Sequence, residues 1–362
     1  MFTEADRKHM ARALELAERG LYTTTPNPRV GCVFVRGGEV VGEGWHERAG
    51  EPHAEVHALR AAGGRVEGAT AYITLEPCSH HGRTPPCTGA LMEAKVARVI
   101  AAMEDPNPLV AGKGLADLRE AGIETACGLM EAEARDLNIG FVSRMTRGRP
   151  WVRLKIAASL DGKTALLNGR SQWITGPEAR RDGHGWRARA CAVMTGIGTV
   201  KDDDPQLNVR EVETSRQPLR VVVDSRLETP PSAKILAPGT VIAAATREGA
   251  NAAALIAGGA EIVALPNASG KVDLEALMLE LGRRGINELH VEAGHKLNGS
   301  LVRENLVDEL VLYLAPHFLG DAARGMFHLP QLDDLSGRRE CELKDVRSIG
   351  ADLRVVARMA GR

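Results

Sequence analysis

Four residues near the start of the chain have the types and spacing of a catalytic metal centre: His53 and Glu55 in His53-Ala54-Glu55, Cys78 in Glu76-Pro77-Cys78, and Cys87. One imidazole and two thiolates supply three protein ligands to a zinc ion and leave the fourth tetrahedral position to water, whereas a structural zinc site fills all four with protein. Glu55 follows the histidine by two residues at an expected helix start, so its carboxylate is placed beside that water without ligating the metal. The chemistry predicted is hydrolytic: activated water attacks an amino-bearing ring carbon, and Glu55 carries a proton to the ring nitrogen and then to the departing amine.

Two other readings of these residues compete. His57 stands one turn after His53, but the glutamate is at the wrong position for the H-E-x-x-H pattern of metalloproteases, so His57 is assigned to the surroundings of the site or to the surface. A purely structural zinc would take His80 or His81 as fourth ligand, and such closed sites rarely carry an H-x-E glutamate aimed at the metal.

The elements that must position this set read as alternating strands and helices. Thr3 and Asp6 have the spacing of a capping box, and Met10, Leu14 and Ala17 continue an amphipathic first helix. Thr25-Pro26-Asn27-Pro28-Arg29-Val30-Gly31 is a shaped turn before the apolar strand Cys32 to Val35, and Asn27 in it is a candidate for hydrogen bonding a substrate ring. Val40 and Val41 begin a second strand, and Gly42 to His46 leads on to the metal helix; His46 is a second candidate for the substrate, its plainer role being structural. Strands over Ala71 to Leu75, Val99 to Met103 and Ile123 to Ala126, with helices over Leu91 to Ala94 and Leu115 to Ala121, imply an α/β layered sandwich. Gly112 and Gly114 are expected to loosen the turn after Asp105-Pro106-Asn107-Pro108. Glu131 to Val142 reads as a closing helix, and the basic, turn-rich stretch Arg144 to Pro150 as the joint between residues 1–146 and 147–362.

The second half opens on the strand Val152 to Ala157; a helix from Pro177 to Ala190 and the strand Ala192 to Thr195 follow, and then the turn Gly196-Ile197-Gly198-Thr199. That turn lacks a full G-x-G-x-x-G, so no Rossmann unit is claimed, yet glycines after a strand let backbone amides approach phosphate oxygens. Asp202-Asp203-Asp204-Pro205 reads as a capped turn in preference to a metal cluster. Arg187 and Arg210 are candidate phosphate ligands, with a solvated surface arginine as the alternative. Further strands are expected over Leu219 to Val223, Val241 to Ala244, Glu261 to Ala264, Glu288 to Val291 and Val307 to Leu314, with a helix over Leu274 to Arg283. Glu292-Ala293-Gly294 follows a strand directly, where open α/β sheets place ligand contacts.

A chain of 362 residues accommodates two domains. A net charge of -1 and the lack of a basic stripe count against nucleic acid as partner, and with it against a base editor of RNA or DNA. The N-terminal ten residues are too charged for a signal peptide, and no apolar run approaches the ~20 residues of a membrane span, so no membrane partner is expected. Six scattered cysteines do not form a disulfide framework; a reducing cytoplasm is the simplest setting.

H-x-E followed by P-C and a second cysteine is the pattern of zinc deaminases of bases and nucleosides. Most of these space the cysteines as C-x2-C; here Ser79 to Pro86 separate them, as in the longer loop of riboflavin-pathway pyrimidine deaminases. Over nearly its whole length the chain resembles the bifunctional RibD family of riboflavin biosynthesis, a pyrimidine deaminase fused to a reductase. Pro26 to Gly31, Gly42 to His46, His53 to Glu55 and Glu76 to Cys87 match the deaminase part; Lys155 to Gly162, Ser171 to Thr175, Asp203 to Leu207 and Glu292 to Gly294 match the reductase.

The resemblance implies a cytidine-deaminase-like three-layer α/β/α domain followed by a dihydrofolate-reductase-like α/β domain, with Zn2+ and NADPH as cofactors. It implies NADPH contacts at Ala157, Trp173, Thr199, Asp203, Ser225 and around Gly294 to Ser300, and substrate contacts at Ser171, Arg187, Leu207, Arg210 and Glu292. Lys155 and Glu292 are candidates for polar work near the reduced carbon. Met194-Thr195, Asp202 and His295-Lys296 depart from the residues common in the family. The implied reactions are hydrolytic deamination of a diamino-pyrimidinone ribosylamine 5'-phosphate and reduction of its ribosyl group to a ribityl chain, in a protein expected to be a cytoplasmic homo-oligomer.

Overall fold

The computed structural model describes residues 2–79, 86–108 and 110–361, and the chain divides into two compact units, Met1–Gly148 and Arg149–Arg362. The first contains α1 (Glu4–Glu18), β1 (Gly31–Arg36), β2 (Glu39–Trp45), α2 (Ala54–Ala62), β3 (Thr70–Ile73), α3 (Cys87–Glu93), β4 (Arg98–Ala101), α4 (Lys113–Glu120), β5 (Glu124–Cys127), α5 (Glu131–Leu137) and α6 (Ile139–Arg147). Its sheet runs β2-β1-β3-β4-β5, antiparallel across the first three strands and parallel across the last three.

Side-chain alternation along the central strands makes three layers. Cys32, Phe34, Ala71, Ile73, Val99 and Ala101 bury one face against α2, α3 and α4, while Val33, Val35, Tyr72 and Ile100 bury the other against α1 and α5. The capping box at Thr3 and Asp6 forms as expected and starts α1. Gly42 and Gly44, expected in a connection, lie instead within β2 and share its α2 face. A Cβ on Gly44 would stand 2.5 Å from Ala58 N and 2.7 Å from Ala54 O, and one on Gly42 2.4 Å from Ala58 O. The metal helix therefore rests its backbone directly on the strand.

Three expectations are corrected. Glu131 to Val142 is two helices and not one, because Asn138 leaves helical geometry (φ -106°) to exchange hydrogen bonds with the backbone of Arg29 at 2.8 and 2.9 Å. Residues Arg144 to Arg147 are helical, and it is Gly148, left-handed at φ 69°, that ends α6. Gly112 and Gly114 do not loosen their segment: a Cβ on Gly114 would sit 1.9 Å from Pro77 O, so α4 begins in tight contact with the cysteine segment.

The second unit contains β6 (Trp151–Ser159), β7 (Lys163–Ala165), α7 (Pro177–Arg189), β8 (Ala192–Gly196), α8 (Ile197–Asp203), β9 (Leu219–Val223), β10 (Val241–Ala244), α9 (Ala252–Ala257), β11 (Glu261–Ala264), α10 (Leu274–Arg283), β12 (Glu288–Val291), α11 (His295–Arg303), β13 (Glu309–Ala315), β14 (Arg324–Gly325), β15 (Cys341–Ile349) and β16 (Asp352–Met359). Its large sheet is ordered β11-β10-β9-β8-β12-β6-β13-β16-β15; β11 to β13 pair in parallel and β16 and β15 add an antiparallel edge. The expected turn after β8 is the helix α8, entered through Gly196. One face packs on α10 and α11. The other packs on α8 and α9 at one end and on α7 at the other.

Because α2 leans on β2 through bare backbone, Gly44→Ala is expected to cost the first unit about 1–3 kcal/mol by overpacking, read as a lowered thermal midpoint. Gly89→Ala, in α3 with nothing within 4 Å of the added Cβ, serves as control and is expected to be neutral or stabilising by up to about 1 kcal/mol.

Candidate functional site

His53 is the N-cap of α2, and Cys87 is the first residue of α3. Their neighbouring helix starts bring His53 Nδ1 within 3.3 Å of Cys87 Sγ and 3.6 Å of Cys78 Sγ. Ligand atoms of a tetrahedral zinc stand roughly 3.5 Å apart; the residues present fit the ion. These three form the only such group of metal-ligating side chains among the described residues. The backbone N–H of Cys87 points at Cys78 Sγ at 3.4 Å, and hydrogen bonding with Cys87 and His53 holds the Cys78 thiol below its ordinary range. Glu55, one residue into α2, is buried against the same group. Burial pushes its carboxyl up, with the imidazole of His53 opposing. His80 and His81, the alternative fourth ligands, lie outside the described residues.

The substrate candidates of this unit also meet. His46 Nδ1 donates to Pro52 O at 3.0 Å, which leaves Nε2 to accept from Asn27 Nδ2 at 3.1 Å. Burial pushes the His46 imidazole down, consistent with that neutral tautomer. The ring of His46 meets that of His53 edge-on at 5.4 Å, and Arg29, fixed by Asn138 and by Leu137 O at 2.7 Å, holds the Pro-Asn-Pro turn in place. Reading the sequence missed Glu76, whose buried carboxylate accepts three backbone N–H groups, from Asp105, Gly112 and Leu115; a glutamate beside a Pro-Cys pair carries no local signal of such long-range partners.

In the second unit the polar candidates gather where β12 ends. Glu292 is clasped by Arg187 through both its Nε and its Nη2, the latter at 3.0 Å. Lys155 Nζ stands 3.8 Å away and His290 Nε2 at 3.3 Å. Burial works against this carboxylate, but Arg187 and Lys155 outweigh it and hold the carboxyl well below its usual range. Burial pushes the Lys155 ammonium down. Arg187 also donates to Asn208 O at 3.1 Å, and Arg210 donates to Asn208 Oδ1 at 2.6 Å while its backbone N–H is received by His184 Nδ1 at 3.2 Å. Leu207 differs from its neighbours: its side chain packs in the core with Val193, Val200 and Val222, and its backbone is left-handed at φ 46°.

Parallel β8 and β12 turn directly into α8 and α11 through Gly196 and Gly294, and no side chain caps either helix. A Cβ on Gly294 would lie 3.8 Å from Thr199 Oγ1. Two adjacent, uncapped helix starts at the carboxyl edge of a parallel sheet fit the phosphates of a dinucleotide. Asp203 accepts from Ser171 Oγ at 3.0 Å, Asp202 pairs with Arg324 at 3.2 Å and Asp204 accepts from Lys234 N at 2.8 Å; the three aspartates are separately occupied. Trp173 is 69% exposed with Arg180 over its ring. Ala157 lies half-buried opposite Tyr313, and Ser225, just past β9, accepts from Val272 N at 3.1 Å.

A family model described as the cytidine and deoxycytidylate deaminase zinc-binding region matches residues 3–103, and one described as the RibD C-terminal domain matches residues 150–355. The riboflavin biosynthesis protein RibD of Escherichia coli (strain K12) is 50% identical, covering 96% of this chain and 98% of its own; that of Aquifex aeolicus (strain VF5) is 42% identical over 98% of both. Among solved structures, Acinetobacter baumannii RibD, form 1, is 44% identical with a TM-score of 0.92 over 99% of each chain. A diaminohydroxyphosphoribosylaminopyrimidine deaminase/5-amino-6-(5-phosphoribosylamino)uracil reductase from Thermotoga maritima is 32% identical with a TM-score of 0.87, covering 98% of this chain and 99% of its own. With relatives this similar along both halves, the chain belongs to the RibD family of bifunctional riboflavin biosynthesis enzymes.

Proposed function

We propose that the two reactions of this enzyme are divided between the two clusters described, deamination at His53, Glu55, Cys78 and Cys87 and reduction around Glu292. The chain is a zinc-dependent deaminase of 2,5-diamino-6-(5-phosphoribosylamino)pyrimidin-4(3H)-one and an NADPH-dependent reductase of 5-amino-6-(5-phosphoribosylamino)uracil. The observation that carries the residue assignment is the tetrahedral spacing of His53, Cys78 and Cys87 with a buried glutamate beside them.

When bound, zinc supplies the Lewis acidity that makes water nucleophilic near neutral pH. Everything else in this half falls to the chain. Glu55, with its proton affinity raised by burial, takes one proton from the attacking water and gives it to the ring nitrogen, then takes the second from the hydroxyl added at the ring carbon and gives it to the amino group, which leaves as ammonia. Asn27, oriented by His46, hydrogen-bonds the pyrimidine ring.

In the reductase half NADPH supplies the hydride when bound, its phosphates against the Gly196 and Gly294 helix starts and Thr199, with Ala157, Trp173, Asp203 and Ser225 completing its contacts. Arg187 is committed to Glu292 and Asn208, so Arg210, which is exposed, is the better ligand for the substrate 5'-phosphate. Glu292 and Lys155 face the sugar, and Ser171 and the Leu207 backbone close the site. Six free cysteines support a cytoplasmic setting, and no helix among the described residues is long and apolar enough to cross a membrane. Exposed Leu343 and Val346 on the outermost strand β15, paired in register with Ala357 and Val355, support a homo-oligomer that covers this face.

Ammonia release from the diamino-pyrimidinone substrate and NADPH oxidation with 5-amino-6-(5-phosphoribosylamino)uracil supplied directly, each followed separately on the purified chain, test the division. Glu55→Gln is expected to lower ammonia release by about 10²- to 10⁴-fold with zinc content and NADPH oxidation retained; normal deamination by that variant removes Glu55 from its role. A chelator should stop ammonia release first. Glu292→Gln is expected to do the reverse, cutting NADPH oxidation at least about 10-fold through loss of a charged hydrogen bond and sparing deamination. A pH effect on stability follows from His184, whose imidazole is pushed down to about 4 by burial and by Arg187 and Arg210. Between the ordinary value of about 6.5 and that folded value the unfolded chain binds a proton that the folded chain refuses. The second unit should therefore lose stability as pH falls through this window, and His184→Asn, which keeps an acceptor, should flatten the dependence seen in denaturant melts.

A further inference from the structure

We infer that Glu76 is a positioning residue for the metal centre: its carboxylate straps the Cys78 segment to the start of α4 and so fixes the Cys78 sulfur where the three ligands meet. This rests on the reading of His53, Cys78 and Cys87 as zinc ligands. Glu76 is 3% exposed. Its Oε2 accepts the N–H of Asp105 at 3.1 Å and of Gly112 at 2.9 Å, and its Oε1 accepts that of Leu115 at 3.2 Å.

Gly112 is the N-cap of α4 and has no side chain with which to cap it. The donors of Gly112 and Leu115 belong to the unsatisfied N–H groups that any helix start presents, and the positive end of the helix favours an anion there. Glu76 thus caps a helix from a different segment. The fastening is reinforced along the backbone: Glu76 N donates to Met103 O at 2.9 Å, and Gly114 leaves room for Pro77 O where a Cβ would stand at 1.9 Å. Only Pro77 separates this anchor from Cys78, and its ring fixes one of the two dihedrals through which the anchor acts. Cys78 carries its own N–H···S contact from Cys87, so the sulfur is constrained on both sides.

The charge matters as well as the shape. Glutamine offers one acceptor oxygen and an amide NH2, which would face an N–H of Gly112 or Leu115 and leave at least one donor unmet. Zinc held by a sulfur on a loosened arm should leave faster, without any change in the ligands themselves; loss of an outer partner of a metal ligand typically costs about 10- to 100-fold in affinity.

The test measures zinc release from the full-length, zinc-loaded chain into excess chromophoric chelator, with NADPH oxidation by the second unit as internal control. Wild type must first show one chelatable zinc lost in a His53→Ala variant; if it holds none, the ligand reading fails and the strap with it. Given that zinc, Glu76→Gln is expected to release it about 10- to 100-fold faster, and Glu76→Asp, with the charge kept on a shorter arm, to fall between. Leu118→Ala, a cavity in the buried face of α4, supplies a comparator that weakens the first unit without removing any of the three donors to the carboxylate. Faster release from Glu76→Gln than from Leu118→Ala at matched thermal stability upholds the inference. Equal release from the two, or wild-type release from Glu76→Gln, overturns it; should Glu76→Gln fail to fold, Glu76→Asp is read by the same comparison.

Discussion

A carboxylate taken out of water must be surrounded by donors, and the cost of failing to do so runs to several kcal/mol. Both halves of this chain are arranged around that constraint. In the second unit Glu292 is reached by Arg187, Lys155 and His290, carried on α7, β6 and β12, so that one buried charge fixes three elements relative to one another. In the first unit Glu76 collects backbone N–H groups from the Asp105 turn and from the start of α4. Glu55 is treated differently. Buried beside His53, Cys78 and Cys87, with its own backbone N–H and the Cys87 thiol as donors, it has its proton affinity raised by that burial, which unsuits it as a permanent anion.

Close approach of backbones is the second constraint on the metal centre. Zinc ligands have to meet to within a few tenths of an ångström, and the side chains bearing them come from a helix start, a strand extension and a second helix start. Removing side chains from the contacts is one way to fix such elements rigidly. Gly42 and Gly44 let α2 touch β2, Gly31 lets α1 touch β1, where a Cβ would lie 1.9 Å from Ala13 O, and Gly114 lets α4 touch Pro77. Each contact is backbone against backbone, which has no rotamers to readjust.

How much of this could be read from residues alone depended on the range of the cause. The capping box of α1, the apolar runs of β9 to β12 and the α10 helix starting after Asp273 have local causes, and the sequence displays them. That His53, Cys78 and Cys87 come together was equally legible, since a zinc site demands particular donor types. The break at Asn138 was not, because its cause is the backbone of Arg29, distant in sequence. Nor were the edge strands β15 and β16. Arg354 and Arg358 of β16 are turned inward to Asp182 and Glu309, and charges on the inward side break the apolar alternation by which a strand is recognised.

That ionic layer bears on how the reductase site is built. Beneath α7 the sheet carries Arg153, Glu288 and Glu309, joined by Arg189 from α7 and Arg358 from β16; farther along β6 and just past β12 stand Lys155 and Glu292, met by Arg187 from α7. Trp186 lies between, with the guanidinium of Arg153 4.7 Å from its ring centroid. An apolar layer would bind α7 at least as tightly, since buried ion pairs seldom outdo hydrophobic packing. What the ionic layer adds is a fixed register: a slip of α7 along the sheet would strand several buried charges at once, whereas apolar side chains would repack. The placement of Arg187 against Glu292 is therefore set by the Arg153, Glu288 and Glu309 pairs below it as much as by its own hydrogen bonds.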